Sequence, residues 1–160
     1  MITIEKLKLE HTEQLDALSV TEQQVKFVGR LDDILANVNG SIHPHVIVVK
    51  ERVVGFFLID TVYSEQYQFA QHDSLGLRGY FIGRDFQAMG YGSAAILALG
   101  HYLLSTYPDK SNIYLTVNCK NINAKNCYLR GGFIEQEGLY LEGNAGPQHI
   151  MCLTLSKHQL

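Results

Sequence analysis

The chain has 160 residues, 46% of them hydrophobic and 18% charged, with 13 Lys and Arg against 16 Asp and Glu for a formal charge of -3 at pH 7. That length suits a single domain, residues 1–160, with a core that removes about 70% of the unfolded surface from water. The balance excludes a disordered chain and a nucleic-acid-coating surface, and no apolar run approaches membrane-spanning length.

Residues 2–9 alternate apolar and polar side chains and read as a strand, followed by a helix over 12–19 with Thr12 as N-cap. Thr21 ahead of Glu22, Gln23 and Gln24 signals a second helix, whose apolar residues recur at helical spacing to about Asn37. Residues 45–50 and 52–60 are β-branched runs flanking Glu51, an antiparallel hairpin with Gly55 as a candidate bulge. Residues 63–73 are polar and aromatic without periodicity and read as a long functional loop. A strand over 77–82, a helix over 93–107, a strand over 113–117 and a helix over 121–130 ended by Gly131 and Gly132 follow. Short strands at 133–135, 139–141 and 150–155 complete the chain. This order gives an α/β protein, a mixed sheet flanked by helices.

The stretch Gln87, Ala88, Met89, Gly90, Tyr91, Gly92 lies between a strand and a long helix. Glycines there let the backbone approach a ligand, and the helix N-terminus points amide groups and a partial positive charge at it, so a diphosphate-bearing cofactor is expected. The crossover helix places the turn at the carboxyl end of its strand, where open α/β sheets bind ligands. Cys119, Cys127 and Cys152 lack paired spacing, which points to a reducing compartment. The first residues form an alternating segment carrying an acid rather than a basic leader, so the cytoplasm is the expected location.

Residues 117–133, running from Val117 and Asn118 through Asn121, Ala124 and Tyr128 to Gly132 and Phe133, resemble the signature VNxxNxxAxxxYxxxGF of the GNAT superfamily of acyl-CoA-dependent N-acyltransferases. In that family the earlier motif is Arg or Gln followed by xxGxG or xxGxA, which Gln87, Gly90 and Gly92 match. The resemblance implies a central, mostly antiparallel sheet with a parallel splayed pair and acetyl-CoA as co-substrate, with no metal. It assigns the strand backbone at Phe81 and Ile82 to the pantetheine arm, the amides from Gln87 through Ala88, Met89, Gly90, Tyr91 and Gly92 to Ser93 to the pyrophosphate, and Asn118, Asn121 and Lys125 to the cofactor's vicinity, with Arg130 as a second cation. Met89 and Ala88 replace a basic residue and a glycine common in relatives. Tyr128, four residues after Ala124 and on the same helix face, is the candidate general acid for the departing thiolate.

An alkyl ammonium is almost fully protonated at neutral pH, its pKa being about 10.4. Gly76 stands where several relatives carry a glutamate base, so His72 and Asp73, directly or through water, are the candidate proton acceptors, with Glu65 in the same loop and His149 near the last strand. The histidines show no metal-ligand spacing. Residues 18–28 are similar to the LxVxxxQxxFV stretch of bacterial polyamine N-acetyltransferases, which makes Glu22, Gln24 and Phe27, with Glu65, candidate contacts for a polyamine-like amine. Asp32, Asp33, Asp60, Glu65 and Asp73 are candidates for an anionic entrance. The resemblance also admits a homodimer. An acyl-CoA or amine sensor of the same fold without turnover is the alternative.

Overall fold

A computed structural model describes residues 1–18, 38–143 and 146–155. Glu22, Gln24, Phe27, Asp32, Asp33 and the expected second helix lie outside these residues. The described chain forms a seven-stranded sheet ordered β1-β2-β3-β4-β5-β7-β6. Its strands are β1 Ile2–Lys6, β2 Ile42–Val49, β3 Arg52–Asp60, β4 Ser74–Ile82, β5 Asn112–Asn118, β6 Ile134–Tyr140 and β7 Gln148–Thr154. Four α-helices are described: α1 Thr12–Asp16, α2 Tyr63–Gln66, α3 Tyr91–Thr106 and α4 Ile122–Arg130. Every neighbouring pair is antiparallel except β4 and β5.

Lys50 and Glu51, at φ 51° and 67°, join β2 to β3, the doubly left-handed backbone that matches the twist of a two-residue hairpin. The register slips between Ile47, opposite Gly55, and Val48, opposite Val53, so Val54 is the extra residue and the bulge expected at Gly55 falls beside it. Two elements differ from the sequence expectation. β4 begins at Ser74, three residues before its apolar run, because Ser74, Leu75 and Gly76 pair with β5 although only one of them favours strands. The expected 63–73 loop opens with the single turn α2, whose Tyr63 is buried.

Ile96, Leu99 and Leu103 recur at helical spacing along α3 and are fully buried against Leu75, Ile113, Leu115 and Met151 on one sheet face. Each contributes on the order of 2 kcal/mol of burial. The opposite face carries two separate clusters. Leu15 of α1 packs with Val46, Val48, Phe56 and Phe81 on the β1–β4 half, whereas Tyr63, Tyr114 and Ile150 cluster on the other half. Two histidine–tyrosine pairs tie β2 to the end of α3. His45 Nε2 meets the Tyr102 hydroxyl at 2.7 Å and His43 Nδ1 meets that of Tyr107 at 2.7 Å. Among the described residues no helix is long and apolar enough to cross a membrane.

Candidate active site

β4 ends at Ile82, and its carbonyl accepts a hydrogen bond from Gln87 Nε2 at 2.8 Å, while Gly83 N–H donates to Val54 O at 2.8 Å. These two bonds fix the exit of the chain into the glycine turn. Ala88 and Gly90 then both adopt left-handed backbone, φ 62° and 81°, and Gly90 becomes the N-cap of α3. A side chain at Gly90 would stand in open space, so its glycine serves the backbone turn and not the packing. At Gly92 the reason differs, since an added Cβ would lie 3.2 Å from Cys127 Sγ. The first bond inside α3 runs from Ala94 N–H to Gly90 O, 3.1 Å, leaving the preceding amides of Tyr91, Gly92 and Ser93 as the helix's positive end.

Two cations were expected near this turn, and the structure separates them. Arg130 Nε donates to Ser93 Oγ at 3.0 Å, which brings the guanidinium to the first turn of α3. Lys125 instead pairs with Glu135 at 2.7 Å, and His149 Nδ1 lies 3.2 Å from the same carboxylate. Lys125 therefore holds the Glu135 carboxyl below the usual range. Met89 is 58% exposed.

β4 and β5 pair only at Ser74 with Asn112, Leu75 with Ile113 and Gly76 with Tyr114, after which they part. Past the fork, two residues of β4, Gly79 and Tyr80, oppose Phe57 alone, a bulge made possible by Gly79 at φ 62°. The bulge turns Tyr80 toward the α3 face, where its hydroxyl donates to Gly92 O at 2.7 Å and its ring meets Tyr128 edge-on, centroids 5.8 Å apart. Tyr128 projects from α4 into the same space and also touches Phe133. Burial pushes both phenols above the ordinary tyrosine range. Among the described residues the Tyr80 hydroxyl is spent on α3, whereas that of Tyr128 makes no hydrogen bond.

Asn118 Oδ1 accepts from Lys120 N–H at 2.9 Å, and Asn121 is the N-cap of α4, its Oδ1 accepting from Ala124 N–H at 3.4 Å. Both build the turn that aims α4 and hence Tyr128. Phe81 buries its side chain against Phe56, leaving only backbone for a ligand. His72 and Asp73 are not brought to Tyr128. They precede β4, Asp73 seven and His72 eight residues before Tyr80, and thus roughly 25 Å away along the strand direction. Asp73 accepts from the Ser111 hydroxyl, a bond that holds its carboxyl below the usual range. Glu65 is exposed on α2.

On the face away from α3 the fork carries groups that the sequence did not single out. The Tyr63 ring covers Gly76 so closely that any Cβ there would overlap it. Tyr67 stacks on Tyr63 at 4.3 Å, and Tyr67, Phe69, Tyr114 and Tyr140 continue the aromatic wall. Arg78 lies over Tyr63 and Tyr67 at 5.4 and 5.2 Å. Its Nε and Nη2 both reach Asp60 Oδ2 at 2.9 Å, and Nη2 also donates to Gln66 Oε1 at 2.8 Å. Asp60, read from sequence as part of an anionic entrance, is instead 2% exposed. Its other oxygen accepts from Val62 N–H at 2.9 Å.

The sequence profile of the acetyltransferase (GNAT) family matches residues 8–133. An uncharacterized N-acetyltransferase of Bacillus subtilis (strain 168), YbbJ, is 26% identical over 153 residues, 94% of this chain and 95% of its own. Among solved structures, the aminoglycoside acetyltransferase AAC(6')-Ib in complex with coenzyme A and kanamycin is similar with TM-score 0.75 and 19% identity, covering 96% of this chain and 95% of that one. A spermidine N-acetyltransferase from Vibrio cholerae in complex with CoA and spermine is similar with TM-score 0.72 and 17% identity, covering 99% and 98%. At these identities the two structures speak for the fold.

Proposed function

The chain belongs to the acetyltransferase (GNAT) family, with acetyl-CoA as co-substrate, and we propose that it acetylates a primary amine of a small molecule by direct attack in a ternary complex. The observation that carries this reading is the meeting of the unpaired edge of β4, the glycine turn and the Tyr128 hydroxyl in one fork. The residues present fit the cofactor. The left-handed backbone at Gly90, the open space beside it, the helix end and Arg130 suit a diphosphate, and the β4 edge past Gly76 suits an extended amide-bearing arm.

When bound, acetyl-CoA supplies a thioester carbonyl for attack and a sulfur leaving group. Tyr128 keeps its proton at neutral pH, because burial raises its pKa, and gives it to the departing sulfur. It then regains a proton from solvent. No carboxylate stands at position 76, since the Tyr63 ring fills the space a side chain would need. The ammonium therefore loses one proton to water to become the neutral nucleophile, and the nitrogen loses a second to water once the C–N bond forms. Gln87 and the Asn121 cap act at one remove, by fixing the turn and the direction of α4.

A flexible, polyamine-like acceptor is supported by the 18–28 stretch and by the spermidine and aminoglycoside acetyltransferases that share the fold. A cytoplasmic setting fits the unpaired cysteines. The test is free-thiol release from acetyl-CoA across polyamines, amino acids, aminoglycosides and peptides. Thermal stabilisation by acetyl-CoA without release for any amine would favour a sensor over an enzyme.

A further inference from the structure

We propose that Arg78 reads an anionic oxygen group on the acceptor, so that the substrate is an aliphatic amine that also carries a carboxylate or phosphate. This rests on the acetyl-transfer reading but departs from its polyamine-like acceptor: the aliphatic amine is kept, and an anionic end takes the place of a second cationic one.

Arg78 is two residues past the last β4–β5 pair and immediately before the Gly79 bulge, on the sheet face away from α3. Its guanidinium cannot wander. Nε and Nη2 are held by Asp60 and Gln66, and its plane rests on Tyr63 and Tyr67. Displacing it to admit a foreign ammonium would strand the Asp60 carboxylate, which is 2% exposed. The aromatic wall is thus occupied by the protein's own cation, not open to the substrate's.

What remains unspent is Nη1, which makes no hydrogen bond among the described residues, on a side chain that is 28% exposed. A preorientated guanidinium with free donors matches the geometry of carboxylate and phosphate oxygens, and such charge-assisted bonds are about twice as strong as neutral ones. Tyr67 and Tyr140, with ring centroids 5.2 Å apart, give the aliphatic stem an apolar surface.

The test uses the full chain, acetyl-CoA and two matched pairs: lysine against 1,5-diaminopentane, and O-phosphoethanolamine against ethanolamine. In at least one pair the anionic member is expected to show a kcat/KM at least ~10-fold higher, and the pair in which this occurs identifies carboxylate or phosphate. Arg78→Gln should bring that ratio to about one by lowering the anionic member alone, with thermal stabilisation by acetyl-CoA unchanged, and Arg78→Lys should recover part of it. If Arg78→Gln fails to fold with Asp60 unpaired, the double variant Asp60→Asn/Arg78→Gln gives the same readout. Equal or better rates for the bare amines in both pairs, acetylation of spermidine or kanamycin alone, or a ratio that survives Arg78→Gln would overturn the assignment of Arg78. Absence of both thiol release and acetyl-CoA stabilisation would overturn the acetyl-transfer reading with it.

Discussion

Two phenols stand at the fork, and Tyr128→Phe against Tyr80→Phe separates their roles. Removing the Tyr128 hydroxyl breaks no hydrogen bond among the described residues and leaves its ring packed on Tyr80 and Phe133, so stability should change by less than about 1 kcal/mol. Loss of a general acid costs about 10²–10⁴-fold in rate. Tyr80→Phe should do the reverse. Its hydroxyl bonds Gly92 O at 2.7 Å, and losing that bond, with the carbonyl still placed for its partner within α3, costs about 0.5–1.5 kcal/mol. At ~2–4 °C per kcal/mol for a chain of this size, that lowers Tm by about 1–6 °C. Thiol release under single turnover, calorimetric affinity for acetyl-CoA and thermal melts measure the three quantities. A Tyr128→Phe enzyme with kcat within about threefold of wild type would refute the acid role, as would an equal loss in both variants.

Three further outcomes follow from the geometry. His45 is neutral in the fold, its pKa pushed down to about 4 from 6.5 by burial beside Phe57. The unfolded state therefore binds more protons between these values, so the contribution is complete above pH 6.5 and is lost as pH falls toward 4. The gap, at ~1.4 kcal/mol per pH unit, amounts to ~3 kcal/mol. Urea midpoints should fall across that window and flatten in His45→Gln; parallel curves for the two proteins would count against it. Ala88 holds φ 62°, a region costing a residue with a Cβ about 1–2 kcal/mol, so Ala88→Gly should raise Tm by a few degrees unless its greater unfolded entropy cancels the relief, and a lowered Tm would contradict the strain argument. Gly76→Glu, which installs the carboxylate of other family members, should give no gain in rate and a destabilised protein, because its Cβ would overlap the Tyr63 ring, which is itself buried and packed on Tyr67 and Arg78; a folded, faster variant would refute that.

The turn, the α3 crossover and the Asn121–Phe133 unit were legible in the sequence because each depends on local rules: glycine where φ is positive, an asparagine cap, helical spacing. The parallel pair was legible too, from the helix between its strands. The start of β4 was not, since Ser74 and Gly76 become strand only through pairing across 38 residues with β5. For the same reason Arg78 gave no signal: a charged residue in an apolar run is explained by Asp60, Gln66 and two tyrosines that only the fold assembles. His72 and Asp73 were chosen by closeness in sequence to the strand, but the strand runs away from them toward the fork. The 63–73 segment, read as a loop, opens with a helical turn instead, because Tyr63 and Tyr67 pack on each other and under Arg78, contacts that no local pattern announces.

The three β4–β5 pairs have a mechanical consequence. Four strands and three strands meet along a seam with rungs at only one end, each half keeping its own apolar cluster on the far face, so the sheet behaves as two beams on the common spine of α3. A molecule lying in the seam supplies the missing rungs and makes the beams continuous. Occupancy of the seam and the stiffness of the sheet across it are then linked quantities.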